Sequence, residues 1–302
     1  MRIRLANAPV SWGVMEVEGW SPPLEPEAFL DELKAAAYEG TELGPYGYLP
    51  VDAGALRAAL ESRSLALTSA FVPIRLKERD AGLELVRRVA GLLGALGAGH
   101  LVLADTLWPE RERIAGRVGD KSPGLTESEW GTAAENIRAA AGAAAGFGLR
   151  AVFHHHAGTY VETPEEIERL LEATGIGLCL DTGHYVYGGG DPVEAVGRLG
   201  RRVEYLHLKD VDGRRLEAAR REGLGFLDGV RAGVFCPLGR GAVRFEELLG
   251  ELEKIDYGGW AVVEQDVDTA NPEAPSPAES ARASREYLRG VLAHGAVPSR
   301  VE

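Results

Sequence analysis

The chain has 302 residues, of which 45% are hydrophobic and 26% are charged, and its formal net charge is −13. This composition is ordinary for a globular protein that can bury a sizeable core. The acidic balance argues against a nucleic-acid partner, which normally meets a basic surface, and favours a small-molecule ligand. Length alone would allow two domains, but α/β barrels often reach this size, so we expect one domain over residues 1–302.

The cysteines and apolar runs bear on where the protein resides. Residues 1–7 include two arginines but no apolar core of signal-peptide length, and no apolar run in the chain approaches a membrane span. The cysteines are Cys179 and Cys236, and Cys179 lies inside a predicted buried strand, which argues against a disulfide framework. We therefore expect a cytoplasmic protein with reduced, structural cysteines. Its oligomeric state stays open, a homo-oligomer included.

Apolar segments of strand length alternate with amphipathic helical segments along the chain. The eight predicted strands lie near residues 3–10, 39–43, 65–72, 99–104, 150–155, 176–181, 203–208 and 259–264. The predicted helices lie at 26–38, 51–63, 81–96, 127–147, 163–173, 191–199 and 245–255, and a proline-rich link leads to a last helix at 278–292. Alternation of this kind is typical of a parallel sheet, and eight units predict a (β/α)8 TIM barrel.

Two connections are longer than usual for this class of fold. They cover residues 105–126, after the fourth strand, and residues 211–244, after the seventh. Both leave strand carboxyl ends, so we expect them to form lids or substrate walls over the barrel mouth. Basic residues in the first connection could engage a hydroxyl-rich or anionic substrate, but interleaved glutamates are equally typical of a solvated loop. The basic residues are Arg111, Arg113, Arg117 and Lys121.

Three successive apolar strands end in potential metal ligands. These are Asp181, His207 and Glu264. Asp181 is followed by Thr and Gly and could by itself belong to an ordinary turn. Three strands ending this way would require three coincidences, so we favour a metal site at the barrel mouth. Imidazole and carboxylate without thiolate suit Mn²⁺, Co²⁺, Zn²⁺ or Mg²⁺.

The fifth strand ends in three histidines, residues 154–156. Because side chains alternate along a strand, His154 and His156 should face the barrel mouth and His155 should face away. The two inward histidines could act as ligands, acid/base groups or substrate donors. Glu162 could cap the helix predicted to begin at Thr163, or it could reach the metal as a fourth ligand, with His154 as the other choice.

Several other residues near predicted strand ends could contact a substrate. Glu42 follows the second strand and could bind substrate hydroxyls or a cationic side chain, whereas Trp12 follows the first strand and could form an apolar wall. Lys209 and Asp210 follow His207 and could act on the substrate or pair with each other.

The chain resembles the xylose isomerase-like barrels, and among them the inosose dehydratases. The resemblance rests on motifs such as Asp181-Thr-Gly-His184 and His207-Leu-Lys-Asp210, and it spans nearly the whole chain. The other matching segments are residues 7–12, 44–48, 115–117, 124–126, 158–163, 233–235, 239–241 and 263–266. Family members usually supply Glu, Asp, His and Glu as ligands from strands five to eight. Here His154 takes the place of the first Glu.

The resemblance implies a hydro-lyase of inositol catabolism that dehydrates 2-keto-myo-inositol to a cyclohexane dione with Mn²⁺ or Co²⁺. A divalent ion would acidify the proton beside the ketone, and an enolate would then lose the neighbouring hydroxyl. The candidate base and acid are Glu264, His156, His184 and Lys209, with the roles unassigned. The candidate substrate contacts are Trp12, Glu42, His154 and Arg117, and the candidate ligands are Asp181, His207, Glu264 and Glu162.

Three alternatives stay open on sequence alone. A sugar or sugar-phosphate isomerase or epimerase would use the same metal and enolate but return the proton. An endonuclease of this fold would need several metals and a basic groove, which the net charge of −13 disfavours. A non-catalytic sugar-binding relative would show no metal-dependent turnover.

Overall fold

The computed structural model describes residues 2–17, 19–20, 24–79, 81–119, 121–271 and 275–295. Its strands are β1 (Arg2–Asn7), β2 (Gly40–Thr41), β3 (Ala66–Leu67), β4 (Phe71–Ile74), β5 (His100–Asp105), β6 (Arg150–His154), β7 (Gly177–Asp181), β8 (Val203–Leu208), β9 (Asp210–Val211), β10 (Phe235–Cys236) and β11 (Gly258–Val263). Nine of them form one parallel sheet in the order β3-β2-β1-β11-β8-β7-β6-β5-β4. The short pair β9 and β10 is antiparallel.

The parallel sheet curls into a barrel whose third strand is interrupted. β3 pairs with β2 and β4 pairs with β5, while only residues 68–70 separate β3 from β4. Leu43 and Val102 each donate a backbone hydrogen bond into that interruption, to the carbonyls of Ser69 and Ala70. Counted this way the barrel has eight strands, so the TIM-barrel prediction is confirmed.

Side chains from six neighbouring strands fill the barrel interior. The inner cluster combines small and large residues, which is how a closed barrel of this size fills its axis. Its buried members are Ala6, Ala8, Val102, Val152, Cys179, Tyr205 and Val262. Cys179 is a free, buried thiol in this cluster, as expected, and Cys236 is also free.

Helices surround the barrel and connect its strands. They are α1 (Pro26–Ala35), α2 (Ala53–Glu61), α3 (Leu83–Leu96), α4 (Pro109–Glu112), α5 (Glu127–Ala145), α6 (Pro164–Thr174), α7 (Thr182–Tyr187), α8 (Pro192–Leu199), α9 (Gly213–Glu222), α10 (Phe226–Arg231), α11 (Phe245–Lys254) and α12 (Pro277–Gly295). Each predicted helix is present, with ends shifted by up to three residues. Thr163 caps α6 through a capping box with Glu166, so the predicted start of that helix is confirmed. None of the described helices combines the length and apolar character needed to cross a membrane.

The second long connection is more regular than its sequence indicated. It contains α9, α10 and β10, because Leu216, Ala219, Phe226 and Val230 supply a buried face that we did not recognise among the surrounding charges. Together with residues 105–126 it packs into a separate apolar cluster above the barrel mouth. We call residues 105–126 and 211–244 the cover.

A buried ion pair anchors the cover to the barrel. Arg111 is fully buried and bonds both oxygens of Glu166 at 2.8 Å, while its Nη1 also donates to the carbonyl of Pro123 at 2.9 Å. Glu166 in turn accepts the backbone N–H groups of Glu162 and Thr163. Arg111 therefore holds the cover to the start of α6, and its guanidinium is engaged away from any substrate.

We predict that Arg111→Ala lowers the free energy of unfolding by about 3 kcal/mol, because it leaves the Glu166 carboxylate, only 17% exposed, without its cation. Arg88→Ala is the matched control, since Arg88 pairs with Glu84 on the exposed face of α3. The control should change stability by no more than about 0.5 kcal/mol. Chemical denaturation of both variants measures this difference, and equal losses would contradict the anchoring role.

Candidate active site

Four neighbouring strands bring their functional side chains to one end of the barrel. His154 ends β6, Asp181 ends β7, His207 is the penultimate residue of β8, and Glu264 directly follows β11. In the sheet register, Asp181 lies opposite His207. All four side chains are buried. The sequence prediction that Asp181, His207 and Glu264 converge therefore agrees with where the structure places them, and His154 joins them.

The polar atoms of these four residues face one another. His154 Nε2 lies 3.4 Å from Asp181 Oδ2, and His207 Nδ1 lies 4.0 Å from the same oxygen and 3.3 Å from Glu264 Oε2. His207 Nδ1 is buried and has no hydrogen-bond partner among the described residues. His154, Asp181 and His207 form one group whose ligand atoms lie within 4.8 Å of one another, and Glu264 forms a second such group with His207 and Glu42. Two imidazoles and two carboxylates joined through His207 are a donor set that suits a divalent ion.

Glu42 fixes the orientation of His207. Its Oε1 accepts from His207 Nε2 at 3.0 Å and from the Ser69 hydroxyl at 2.6 Å, and Ser69 also contacts the hydroxyl of Tyr205 at 2.8 Å. A carboxylate on one imidazole nitrogen directs the other nitrogen toward a metal. Glu42 also lines the cavity, so the predicted substrate contact stays a prediction.

Lys209 places a cation beside the four candidate ligands. Its Nζ lies 2.7 Å from Asp266 Oδ1, 3.2 Å from Glu264 Oε2, 3.5 Å from Asp181 Oδ2 and 3.1 Å from His184 Nε2. Burial lowers the pKa of Lys209, but the three carboxylates together raise it by a larger amount. The pKa therefore lies above its ordinary value. Lys209 therefore stays charged and can donate hydrogen bonds to an oxygen in the cavity.

The same interactions hold Glu264 in its ionised form. Burial raises the pKa of Glu264, but His207 and Lys209 lower it more, to about 2. The pKa of Asp266 moves the other way, because burial raises it to about 6 against the opposing effect of Lys209. Glu264 is thus held in its anionic form, which suits it to holding a cation.

The three histidines at the end of β6 alternate in direction, as their spacing along the strand predicts. His155 points away and accepts the backbone N–H of Asp181 at 3.2 Å, whereas His156 lines the cavity. His156 Nδ1 donates to the carbonyl of Ala157 at 2.7 Å, and its ring centroid lies 3.9 Å from that of His184. Burial lowers the pKa of His156 to about 3, and neighbouring His154 and Lys209 add to this shift. His156 is therefore neutral, with its second nitrogen left as an acceptor.

The structure does not bring Glu162 to the ligand cluster. Its carboxylate is buried and accepts the backbone N–H of Gly116 at 2.7 Å and that of Gly158 at 2.7 Å, one on each oxygen. Glu162 thus joins the cover to the loop that follows the three histidines. Of the two residues that sequence analysis offered as fourth ligand, His154 is the one that lies beside Asp181.

Arg117 and Trp12 also lie apart from the cluster. The Arg117 guanidinium donates to carbonyl oxygens of the cover, including that of Leu224 at 2.7 Å. Trp12 is buried against Phe29 on α1, with centroids 4.9 Å apart, and its indole N–H donates to Glu32 at 2.6 Å. Neither side chain lines the cavity at the ligands.

Sequence analysis did not identify two residues of this site, Asp266 and Ser69. Asp266 lies two positions after Glu264, just beyond the end of β11, so extending the alternation of the strand past its end could have identified it. Ser69, by contrast, gave no signal, because its role depends on contacts with Glu42 and Tyr205 that are distant in sequence.

The cover closes the cavity with aromatic side chains. The Phe226 ring lies 4.9 Å from that of His156, and the Phe235 ring lies 5.5 Å from that of His184, measured between centroids. The cavity beside the candidate ligands has a volume of about 470 Å³, part of which is open to solvent. It can hold a small ring-sized molecule whose polar end meets the candidate ligands and Lys209.

Comparisons with known proteins agree with this architecture. The model of the xylose isomerase-like TIM barrel family matches residues 30–291. The chain is 39% identical to the rhizopine catabolism protein MocC of Rhizobium meliloti, covering 97% of this chain and 90% of that protein. It is 33% identical to the inosose dehydratase of Geobacillus kaustophilus (strain HTA426), covering 96% and 95%.

A solved structure shows the same fold at low sequence identity. The crystal structure of the IOLI protein with a zinc atom superposes with a TM-score of 0.71 at 14% identity, covering 96% of this chain and 98% of that one. Taken with the family model and the full-length relatives, the chain belongs to the xylose isomerase-like TIM barrel family and, within it, groups with the inosose dehydratases.

Proposed function

We propose that the protein is a metal-dependent hydro-lyase that eliminates water from 2-keto-myo-inositol, or from a related cyclic polyol ketone, in inositol catabolism. The observation that carries this proposal is the pair of groups around His207, with His154 and Asp181 in one and Glu264 in the other, beside a cavity lined by His154, Glu264 and Lys209. Full-length similarity to an inosose dehydratase supports the choice of substrate class and reaction.

We propose His154, Asp181, His207 and Glu264 as the metal ligands. The two carboxylates carry two negative charges, which a divalent ion would balance, and the unpaired Nδ1 of His207 faces both of them. Two nitrogen and two oxygen donors are intermediate between the oxygen sites of Mg²⁺ and the nitrogen- and sulfur-rich sites of Zn²⁺. Mn²⁺ or Co²⁺ is our choice for the native ion.

The proposed mechanism divides the work among residues around the ligands. When bound, the ion supplies a Lewis acid that polarises the ketone and acidifies the proton on the neighbouring carbon. His156 accepts that proton, because it is neutral, lines the cavity and keeps one nitrogen free. The proton taken by His156 then passes to the departing hydroxyl, which leaves as water while Lys209 donates a hydrogen bond to its oxygen, and His184 packs against His156 and binds a substrate hydroxyl.

We also propose the setting in which this site works. Residues 1–302 form one domain that acts on a small polyol in the cytoplasm without a nucleic-acid or membrane partner. The acidic net charge of −13 and the two free cysteines support this proposal.

Replacing any one of the four ligands with Ala should reduce bound metal to well below one ion per chain, because a four-donor site loses a direct bond. Glu162→Gln is the control, since Glu162 is buried but bonded to the cover. Mass spectrometric metal analysis of the purified proteins makes the comparison. Stoichiometric metal in His154→Ala together with metal loss in Glu162→Gln would restore Glu162 as the fourth ligand.

His156→Asn should lower kcat by about a hundredfold or more, the usual range for losing an acid/base group, while bound metal stays stoichiometric. His100→Asn is the matched control, because His100 begins β5 at the opposite end of the barrel. Turnover and metal content are measured on the same preparations. A His156→Asn variant with unchanged kcat would move the proton acceptor to another residue.

With 2-keto-myo-inositol, the protein should yield a product lighter than the substrate by one water. Chelation should abolish this turnover, and Mn²⁺ or Co²⁺ should restore it in the native protein but not in Glu264→Ala. Product mass decides the reaction, because an isomerase or epimerase conserves mass. Interconversion of ketoses without dehydration would assign the site to that class instead.

A further inference from the structure

Glu162 holds one particular peptide group beside the proposed proton acceptor. Its Oε2 accepts the backbone N–H of Gly158 at 2.7 Å. The carbonyl of that same peptide group belongs to Ala157, and it accepts the Nδ1 proton of His156 at 2.7 Å. A single peptide plane therefore links the Glu162 carboxylate to the imidazole of His156, and each of its two hydrogen bonds polarises the peptide in favour of the other.

This peptide group could turn over if Glu162 did not hold it. Gly158 has a φ of +83°, and glycine accepts both these backbone angles and the altered ones that a reversed peptide requires. In the reversed orientation the carbonyl of Ala157 would point away from His156. The imidazole would then lose the acceptor that fixes its proton on Nδ1.

The rest of the turn has hydrogen bonds of its own. The backbone N–H of His156 donates to the carbonyl of Val161 at 3.1 Å. The carbonyl of His156 accepts the Thr159 hydroxyl at 2.8 Å and the Thr159 backbone N–H at 3.3 Å. Loss of the Glu162 carboxylate therefore frees one peptide group and leaves the turn as a whole in place.

The second oxygen of Glu162 makes this arrangement depend on the cover. Oε1 accepts the backbone N–H of Gly116 at 2.7 Å, and a Cβ on Gly116 would come within 2.9 Å of the Tyr187 ring. Gly158 also lies against the cover, since a Cβ there would be 3.1 Å from Leu107. Glu162 is only 1% exposed, so both hydrogen bonds are shielded from water. The carboxylate thus sits where the cover and the turn meet.

We propose that Glu162 is a positioning residue that acts on His156 through the peptide group between Ala157 and Gly158. It keeps the proton of His156 on Nδ1 and so leaves Nε2 to accept a proton in the cavity. Because the same carboxylate is held by Gly116, His156 is set for proton transfer only when the cover is in place. This inference rests on the proposed function, in which His156 is the proton acceptor.

Glu162→Met removes both acceptor oxygens and preserves the length of the side chain. It should lower kcat by about tenfold or more, the effect of losing one buried hydrogen bond of this kind, and change KM by less than about twofold, because Glu162 does not line the cavity. Glu112→Met is the matched control, since Glu112 accepts the backbone N–H of Leu227 within the cover at 3.0 Å. The control should keep kcat, and bound metal should stay stoichiometric in both variants.

The position of the proton on His156 gives a readout without turnover. Isotope-edited NMR of histidine-labelled protein loaded with diamagnetic Zn²⁺ distinguishes Nδ1–H from Nε2–H, and His156→Asn identifies the signals. Burial raises the pKa of Glu162 to about 7, with Glu166 adding to the rise and the two N–H donors and Arg111 opposing it. Spectra and rates are therefore recorded at about pH 8.5, where Glu162 is ionised. The native protein and Glu112→Met should carry the proton on Nδ1, whereas Glu162→Met should show the Nε2–H form.

The outcomes separate this inference from the proposed function. An Nε2–H proton on His156 in the native protein, or an Nδ1–H proton retained in Glu162→Met, overturns the inference even if dehydration occurs. A changed tautomer with unchanged kcat overturns it as well, because positioning would then have no part in the reaction. If no ketone is dehydrated but the tautomer changes as expected, the reaction is wrong and the positioning of His156 is upheld. Absent turnover with an unchanged tautomer overturns both.

Discussion

The accumulation of buried negative charge at the barrel mouth is the constraint on which the rest of the site depends. Asp181, Glu264, Asp266 and Glu42 all lie within this region, and Lys209 contacts the first three. Carboxylates removed from water must be paired or bound to a cation. The same negative charge keeps Lys209 protonated. It also places two carboxylates, those of Asp181 and Glu264, near the Nδ1 atom of His207. A divalent ion would balance the charge of this cluster.

The cover forms an aromatic wall over this charged barrel mouth. Phe226 and Phe235 pack against His156 and His184 and limit the access of water, which strengthens every electrostatic interaction inside. A cover can do this only if it stays in place. Glu162 bonds to two backbone amides, Arg111 to Glu166 and a carbonyl, and Arg117 to carbonyls of the cover, and these bonds hold the cover in place.

Much of this arrangement follows from local sequence. Apolar runs predicted the strands, and strand ends predicted Asp181, His207 and Glu264, because parallel strands deliver their carboxyl ends to one face. Alternation also oriented the histidines at 154–156. Local sequence could not predict the long-range contacts. Trp12 packs against α1, and Glu162 accepts one backbone N–H from Gly116, which is distant in sequence, and one from Gly158 in the preceding turn. Their residue types allowed several partners, and only the folded chain selects among them.

The fold cannot choose between elimination and isomerisation, because both begin with loss of a proton beside a polarised ketone. What distinguishes them is the fate of the neighbouring hydroxyl, which must be stabilised as it departs. In the proposed mechanism Lys209 provides a fixed cation for that hydroxyl, and three carboxylates hold it in place and keep it charged. With His154 in place of a carboxylate, the proposed ligand set carries only two negative charges, so a divalent ion would retain more of its pull on the ketone. Both features favour expulsion of water over return of the proton.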